Sequence, residues 1–362
     1  MTDLVQHSVR VIIAHQAPTG AYVASPHFPV YRYSWFRDGA FIAYAMDLVG
    51  QHRSAWGFHE WAARTILRHA RKAERAIEKA ARGEPLGQDY LHTRYTLNGE
   101  EGPEEWPNFQ LDGFGTWLWA LNEHVQRTGI ALTPDWRAAV TLIARYLSAL
   151  WDRPCYDLWE EHPQYQHLYT LAAIYAGLRA AGALLGVHGR SLAEIADQVR
   201  RFVLTHGVRE GHLVKQIPPP SDPAYQIDAS LVGVATPYRM LSPDDPLIRA
   251  TVARIEQELH CPGGGVHRYR ADTYYGGGEW VLLTAWLGWY YTEVGEIGRA
   301  WEFLRWVEDQ ADAEGHLPEQ ASGHLLAPRR YSEWKARWGP VAKPLLWSHA
   351  MYLILRCALR SA

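Results

Sequence analysis

Residues 133–186 read TPDWRAAVTLIARYLSALWDRPCYDLWEEHPQYQHLYTLAAIYAGLRAAGALLG and contain two apolar-periodic segments on either side of a polar connection. The spacing of the apolar residues predicts helices over 133–151 and 165–186. Thr133, directly before a proline, is a typical helix start, and Gly186 is a typical helix end. Long helical periodicity with almost no strand-like alternation indicates an all-α fold.

The same pattern of helices and connections continues in both directions along the chain. It predicts twelve helices, at 3–16, 36–50, 53–81, 112–129, 133–151, 165–186, 190–206, 226–240, 245–259, 279–294, 296–313 and 343–360. Every odd helix is followed by a long connection, at 17–35, 82–111, 152–164, 207–225, 260–278 and 314–342, and every even helix by only a few residues. When neighbouring helices are antiparallel, successive connections lie at opposite ends of the helices. All six long connections therefore lie at the same end of the fold. We therefore predict an (α/α)6 barrel forming one domain over 1–362, rather than an irregular bundle or an α-solenoid.

Composition excludes several classes of protein. The chain has 362 residues, of which 48% are hydrophobic and 21% charged, as in folded globular proteins. A net charge of −3 does not suggest a nucleic-acid partner, and no apolar run approaches the roughly 20 residues that span a bilayer. Three cysteines without a CxxC motif predict neither a disulfide framework nor a thiolate zinc site. Since residues 1–3 do not begin a secretory signal pattern, we predict a cytoplasmic protein without membrane or nucleic-acid partners.

Aromatic usage is unusual, with 17 Trp and 20 Tyr against 8 Phe. Trp and Tyr combine a flat apolar face with a polar edge, which suits surfaces that bind amphipathic ligands such as sugars. A Trp-rich helical core is the alternative explanation. Five tryptophans at helical spacing inside predicted helices are assigned to that core: Trp117, Trp119, Trp151, Trp286 and Trp289.

The long connections carry Trp, Tyr, Arg and carboxylate residues, a combination that suits a carbohydrate subsite with an acid–base pair. Cleavage of a glycosidic bond needs one carboxyl group that is protonated and one that is ionised. Glu160, between Trp159 and a second acid at Glu161, fits the proton donor, and Glu319 in another connection fits the base. A Glu-Glu pair near a helix start is also a common solvated cap, so spacing alone leaves both interpretations open. No histidine pair has metal-site spacing, and no phosphate-binding or nucleophilic-serine motif is present, so we predict no metal and no cofactor.

Separated segments of the chain share the order of motifs of a known family. They are 20–38 (GAYVASPHFPVYRYSWFRD), 106–113 (WPNFQLDG), 156–161 (YDLWEE), 268–280 (RYRADTYYGGGEW), and 318–320 (PEQ) followed by 346–349 (LWSH). Together they resemble glycoside hydrolase family 15, the inverting glucoamylase family, which also holds glucodextranases, isomaltose-cleaving enzymes and some trehalases. The resemblance implies an (α/α)6 barrel, in agreement with the loop pattern.

The resemblance also implies roles for individual residues. It makes Glu160 the general acid, Glu319 the general base and Tyr31 the tyrosine that helps to hold the attacking water. The implied substrate-binding residues are Arg37 and Asp38 on terminal glucose hydroxyls, Arg268 near the cleavage point, the aromatic residues Trp35, Trp106, Trp159 and Trp280, and Glu161. Asp112 either touches sugar or caps the helix that begins beside it.

The implied activity is inverting, exo-acting and independent of cofactors, and it releases β-glucose from non-reducing ends of short α-1,4- or α-1,6-gluco-oligosaccharides. An α,α-trehalase of the same family, a non-catalytic saccharide-binding barrel and a polysaccharide lyase are the alternatives. After Glu319 the family's usual Asp and Thr-Gly pattern is replaced by 320–323 (QASG) and an insertion with Trp334 and Trp338. This leaves linkage preference and the role of the insertion open. The expected absence of a β-sandwich or starch-binding domain favours short imported oligosaccharides as substrates.

Overall fold

The protein is described by a computed structural model that covers residues 4–186 and 189–361. Thirteen α-helices lie in these ranges: α1 (Leu4–Ala14), α2 (Phe36–Leu48), α3 (His52–Arg68), α4 (Ala70–Ala81), α5 (Asp112–Thr128), α6 (Pro134–Leu150), α7 (Leu168–Leu185), α8 (Gly189–His206), α9 (Pro246–Leu259), α10 (Val281–Glu293), α11 (Ile297–Asp309), α12 (Pro328–Trp338) and α13 (Leu346–Ser361). The strands are all two residues long: β1 (Ser34–Trp35), β2 (Arg94–Tyr95), β3 (Gln166–His167), β4 (Val208–Arg209), β5 (His212–Leu213), β6 (Gln216–Ile217), β7 (Glu279–Trp280) and β8 (Gln320–Ala321). The all-α prediction is confirmed.

The chain divides into two compact units. The terminal unit, which holds both chain ends, consists of Met1–His15, Val23–Arg32 and Gly207–Ala362. The internal unit consists of Gln16–Tyr22 and Tyr33–His206. A single domain over 1–362 stays a prediction.

Two glycines bring helices α5 and α7 of the internal unit into backbone contact. A Cβ on Gly177 would lie 2.6 Å from the Cα of Gly115, and a Cβ on Gly115 would lie 2.3 Å from the carbonyl oxygen of Ala173. Neither position can carry a larger residue without moving one helix. Helix α5 also packs against α2, so the helix that carries Arg37 and Asp38 lies directly on one member of this pair.

Four of the five tryptophans assigned to the core are buried, namely Trp117, Trp119, Trp286 and Trp289. Trp151 is only half-buried and packs edge-on against Phe202. The helical core therefore accounts for part of the excess of Trp and Tyr over Phe.

Three predicted elements were wrong. The helix predicted over 53–81 is two helices, because the backbone leaves helical geometry at His69, whose ring bonds the carbonyl oxygen of Gly99. The helix predicted over 226–240 is reduced to a 3-10 helix, Ala229–Val234. Pro237 lacks an amide donor and disfavours helical geometry in the residue before it. The connection predicted over 314–342 contains the short helix α12.

Among the described residues one helix, α7, is long and apolar enough to cross a membrane, and 67% of it is buried within the protein. The helix packs against α5 and α8. That degree of burial is typical of a core helix rather than a lipid-facing one.

Candidate active site

In the internal unit, a short strand pair fixes the start of α2. Strand β1 pairs antiparallel with β2, with Trp35 opposite Arg94, and the amide of Phe36 donates to the carbonyl oxygen of Thr93. Trp35 is thereby held one residue before the helix, and Arg37 and its neighbour Asp38 follow in the first turn. Three predicted site residues therefore share one rigid segment.

The guanidinium of Arg37 is 4% exposed and is surrounded by acceptors. It lies 2.9 Å from Asp112 Oδ2 and 2.9 Å from Gln110 Oε1, and its Nε is 3.7 Å from Asp38 Oδ2. Burial disfavours the cation, but the charges of Asp112 and Asp38 outweigh it and raise the pKa of Arg37. Asp112 is the first residue of α5, and its carboxylate pairs with Arg37.

Asp38 is a buried carboxyl group with opposing influences on its charge. Burial is the largest and raises its pKa, Arg37 lowers it, and the nearby negative charge of Glu160 raises it again, so that the pKa reaches about 7. A carboxyl group with this pKa changes charge near neutrality.

Glu160 is held by two donors that both reach the same oxygen. Its Oε1 accepts from the indole nitrogen of Trp35 at 2.8 Å and from the amide nitrogen of Gln110 at 3.2 Å. Gln110 cannot rotate freely, because its Oε1 accepts from Arg37 and its Nε2 also donates to the carbonyl oxygen of Pro107. Both of these donors reach Oε1, and neither bond involves the second carboxyl oxygen of Glu160.

The backbone at Glu160 adopts a left-handed conformation, with φ of 68°. Non-glycine residues adopt such a conformation at a cost that surrounding contacts must offset. Asp157 supplies these contacts, because its Oδ1 accepts from the amides of Trp159 and Glu161 at 2.9 Å each. The Asp157 carbonyl oxygen accepts from the amide of Glu160 at 3.0 Å. Asp157 is not among the predicted site residues, because neither its type nor its spacing indicates such a role.

Arg94 is a second residue beside the predicted site residues that its sequence context does not indicate, and it is 3% exposed. Its guanidinium carbon lies 3.7 Å from the ring centroid of Trp106, 4.1 Å from that of Tyr33 and 5.3 Å from that of Trp35. Trp35 and Trp106 meet edge to face, with centroids 6.1 Å apart. The cation–aromatic stack fixes two of the predicted aromatic residues relative to each other.

In the terminal unit, strand pairing positions Glu319 in a comparable way. Strand β7 pairs antiparallel with β8, with Trp280 opposite Gln320. The amide of Glu319 donates to the carbonyl oxygen of Ala342 at 2.9 Å, and its own carbonyl oxygen accepts from Val281 at 3.2 Å. Glu319 is 3% exposed. Its backbone is therefore fixed on both sides.

The carboxylate of Glu319 belongs to a chain of hydroxyl groups. Its Oε1 accepts from the hydroxyl of Tyr31 at 3.1 Å, and the hydroxyls of Tyr31 and Tyr274 lie 2.9 Å apart. The amide of Tyr274 donates to Asp272 Oδ1. Burial, followed by the charge of Glu319, raises the pKa of Tyr274. Tyr274 therefore stays a neutral hydroxyl beside the carboxylate.

Arg268 forms two bonds with Asp272, one of them 2.7 Å long, and its guanidinium carbon is 5.1 Å from the ring centroid of Trp280. Helix α12 packs on the same segment, because Trp334 meets the Tyr274 ring edge-on at 5.0 Å. The ring of Tyr275 also lies against Trp334. The insertion that contains Trp334 thus supports the residues next to Tyr31.

Each unit brings together its own share of the predicted site. The internal unit holds Trp35, Arg37, Asp38, Trp106, Trp159, Glu160 and Glu161, and the terminal unit holds Tyr31, Arg268, Trp280 and Glu319.

Among the described residues, two further groups could hold a metal ion: Asp47, His59 and His124, and Cys261, Glu279 and His324. The spacing of these residues in the sequence predicts neither metal-binding group.

Carboxyl groups that accept bonds from neutral donors, near buried Arg–Asp pairs and tryptophan rings, are the residue types that cleavage of a glycosidic bond requires. The family model of glycosyl hydrolases family 15 matches residues 1–356. The chain belongs to this family and is a glycoside hydrolase of the inverting type.

Two curated relatives differ in how much of them the chain covers. An isomaltose glucohydrolase of Kribbella flavida is 43% identical over 359 residues, which are 98% of this chain and 91% of the relative. A trehalase of Mycolicibacterium smegmatis is 30% identical over 319 residues, which are 78% of this chain and 46% of the relative.

Solved structures agree with the family assignment. A glycosidase variant in complex with glucose is 42% identical, with a TM-score of 0.93 over 99% of this chain and 96% of that one. A bacterial glucoamylase complexed with acarbose has a TM-score of 0.77 at 20% identity, over 99% of this chain and 55% of that one, and shows the fold alone. The predicted family, (α/α)6 fold class and glycoside hydrolase activity are confirmed.

The contacts of Asp157 predict that it positions Glu160. Asp157→Ala removes the acceptor of two amides, and we expect kcat on a glucoside to fall at least about tenfold with little change in KM, since small misplacements of a catalytic group are costly. Asp157→Asn keeps an oxygen acceptor and should retain most of the activity. Steady-state kinetics of both variants test this role of Asp157. Equal activity of the Ala variant and the wild type would show that Asp157 does not position Glu160.

The raised pKa of Asp38 predicts opposite effects on stability and activity. A folded-state pKa of about 7, above the ordinary 3.8, means that Asp38 stabilises the fold fully below pH 3.8 and loses this contribution as pH rises through 7. Asp38→Asn should therefore keep or raise Tm at pH 8. It should nevertheless lose at least about tenfold in activity, because a charge-assisted bond contributes about 1.5–3 kcal/mol. A lowered Tm with normal turnover would mean that Asp38 serves only the fold.

Proposed function

We propose that this chain is an inverting exo-α-glucosidase that removes β-glucose from non-reducing ends of short gluco-oligosaccharides, with α-1,6-linked isomaltose as the first candidate substrate. The observation that carries the site assignment is the contact of Glu319 with the Tyr31 hydroxyl at 3.1 Å. The 43% identity to an isomaltose glucohydrolase supports the substrate.

In this proposal Glu160 is the general acid. Trp35 and Gln110 occupy one of its oxygens, so the other delivers the proton to the glycosidic oxygen. Protonation of the leaving oxygen is the step that natural sugar leaving groups require, because an alkoxide leaves poorly.

Glu319 is the general base, and Tyr31 is its partner. A carboxylate that accepts from a tyrosine hydroxyl can take a proton from a water held by the same hydroxyl. Attack by that water opposite the leaving group inverts the anomeric carbon in one step. Inversion requires the two carboxyl groups to lie about 6.5–9.5 Å apart around one bond, which leaves room for the water.

The remaining predicted residues bind the sugar. Arg37 and Asp38 would hold terminal hydroxyls by charge-assisted bonds, and Arg268 would bind near the cleaved bond. The rings of Trp35, Trp106, Trp159 and Trp280 would pack on sugar faces, with Glu161 as a further contact.

We infer that the enzyme acts as one domain over 1–362 in the cytoplasm, on small saccharides, without a cofactor and without nucleic-acid or membrane partners.

An α,α-trehalase is the second candidate, and relatives named trehalase at 30% identity or less support it. A non-catalytic saccharide-binding barrel is disfavoured, because binding alone would not need both Glu160 and Glu319. A lyase is disfavoured by the family.

A substrate panel tests the proposed specificity. We expect the highest kcat/KM for glucose release from isomaltose, a lower value for maltose and the lowest for trehalose. A preference for trehalose would favour the second candidate. Saccharide-dependent shifts in Tm without glucose release from any substrate would overturn the enzymatic proposal.

Glu160→Gln tests the acid. Because general acid catalysis contributes about 10²–10⁴-fold, activity on isomaltose should fall by that factor. α-Glucosyl fluoride needs little protonation of its leaving group and should lose much less. Rates on both substrates, measured on the same preparation, separate the effects, and equal losses would remove Glu160 from this role.

Product stereochemistry tests the base. Proton NMR in the first minutes, before mutarotation, should show β-glucose from an α-glucoside, because Glu319 directs a single displacement by water. Glu319→Ala should still bind glucose but barely turn over. An initial α-glucose product would instead indicate a covalent intermediate, with carboxyl groups about 5–5.5 Å apart.

A further inference from the structure

A group of ionisable side chains in the terminal unit lies outside the predicted sugar-binding residues. Cys261, Glu279 and His324 each offer one ligand atom, and these atoms lie within 4.8 Å of one another. His324 Nδ1 is 3.1 Å from Glu279 Oε1, and Cys261 Sγ is 3.1 Å from His267 Nε2. Thiol, imidazole and carboxylate are the donors that bind zinc in proteins.

The orientation of His267 suits a ligand. Its Nδ1 lies 3.2 Å from the carbonyl oxygen of Gly278, a contact that requires the proton on Nδ1. Nε2 is then the nitrogen with the lone pair, and it faces Cys261 Sγ. Metal-binding histidines are commonly fixed in this way, with one nitrogen donating to a backbone carbonyl and the other directed at the metal.

A glycine keeps the centre of this cluster open. A Cβ on Gly264 would lie 2.3 Å from Glu279 Oε1, 2.8 Å from the Cβ of Cys261 and 3.2 Å from His324 Nδ1. A side chain at this position would therefore crowd all three residues at the centre of the cluster. Residue 264 must be a glycine for these side chains to keep their positions.

Glu279 is a buried carboxyl group with a backbone amide and a partly exposed imidazole among its partners. The side chain is 2% exposed, and its Oε1 accepts from the amide of Gly265 at 2.6 Å. The ion pair that the structure gives it is with His324, an imidazole that is itself 57% exposed. A divalent cation nearby would stabilise a carboxylate that is buried beside a partly exposed imidazole.

We propose that Cys261, Glu279 and His324, with His267 as a fourth donor, form a binding site for Zn²⁺ or a chemically similar divalent cation. Binding replaces the thiol proton of Cys261, which leaves to solvent. Bonds of about 2.0–2.3 Å to a tetrahedral ion bring ligand atoms to about 3.5 Å from one another. The exposed His324 can move by the distance required.

Cobalt binding tests the site on the full chain. The protein is stripped with a chelator, dialysed and titrated with Co²⁺, whose bond to a thiolate gives a charge-transfer band in the near ultraviolet. We expect one Co²⁺ per chain with this band, its displacement by Zn²⁺, and a rise in Tm with Zn²⁺. Cys261→Ser should abolish the band, and His324→Ala should weaken Co²⁺ binding at least about tenfold.

Matched controls separate this site from general thiol or imidazole binding. Cys357→Ser, at a half-exposed cysteine of α13, and His206→Ala, at an exposed histidine of α8, should keep both band and affinity. Gly264→Ala fills the central point and should lower the affinity, with metal-free Tm and activity measured to check folding. Absence of the band in the wild type, or an unchanged band in Cys261→Ser, would overturn the proposal.

Discussion

A buried guanidinium determines the arrangement of the predicted site residues in the internal unit. Arg37 is 4% exposed, and a charge so far from water is stable only when opposite charge and acceptors surround it. Asp112 and Asp38 supply the charge, and Gln110 supplies an acceptor. Because the oxygen of Gln110 is turned towards Arg37, its nitrogen is turned towards Glu160. The orientation of the proposed proton donor thus follows from the need to compensate a cation.

The terminal unit repeats this plan with different residues. Arg268 is 3% exposed and pairs with Asp272 through two bonds. The same carboxylate accepts from the amide of Tyr274, whose hydroxyl is 2.9 Å from that of Tyr31 and so adjoins the donor to Glu319. In both units a buried Arg–carboxylate pair fixes a neutral group, an amide or a hydroxyl, next to a proposed catalytic carboxyl group. Trp35 and Gln110 donate to Glu160, and Tyr31 donates to Glu319, so these donors to the two proposed catalytic groups are neutral side chains.

The parts of the molecule that local sequence encodes were predictable, and those that depend on distant contacts were not. Thr133 predicted the start of α6, and its side chain accepts from the amide of Trp136 as a helix cap should. The break at His69 could not be foreseen, because it involves the carbonyl oxygen of a glycine thirty residues further on. Residue type and local sequence suggested Glu160 and Glu319 as the acid and the base, but spacing alone left a solvated cap open for the Glu160–Glu161 pair, and the family resemblance was needed to assign the roles. The position of Arg94 could not be predicted, because its contact with the Trp106 ring depends on the pairing of β1 with β2.

Strand β7 carries one residue of the proposed metal site, Glu279, and one proposed sugar-binding residue, Trp280. Neighbouring side chains of a strand point to opposite faces, so Glu279 is directed at Cys261 and His324 while Trp280 lies near Arg268. The partner strand β8 begins directly after the proposed base. A cation bound to Glu279 would therefore restrain the strand that carries Trp280. No step of the proposed acid–base hydrolysis uses a metal, so the role that this geometry leaves for a cation is to hold Trp280 in place.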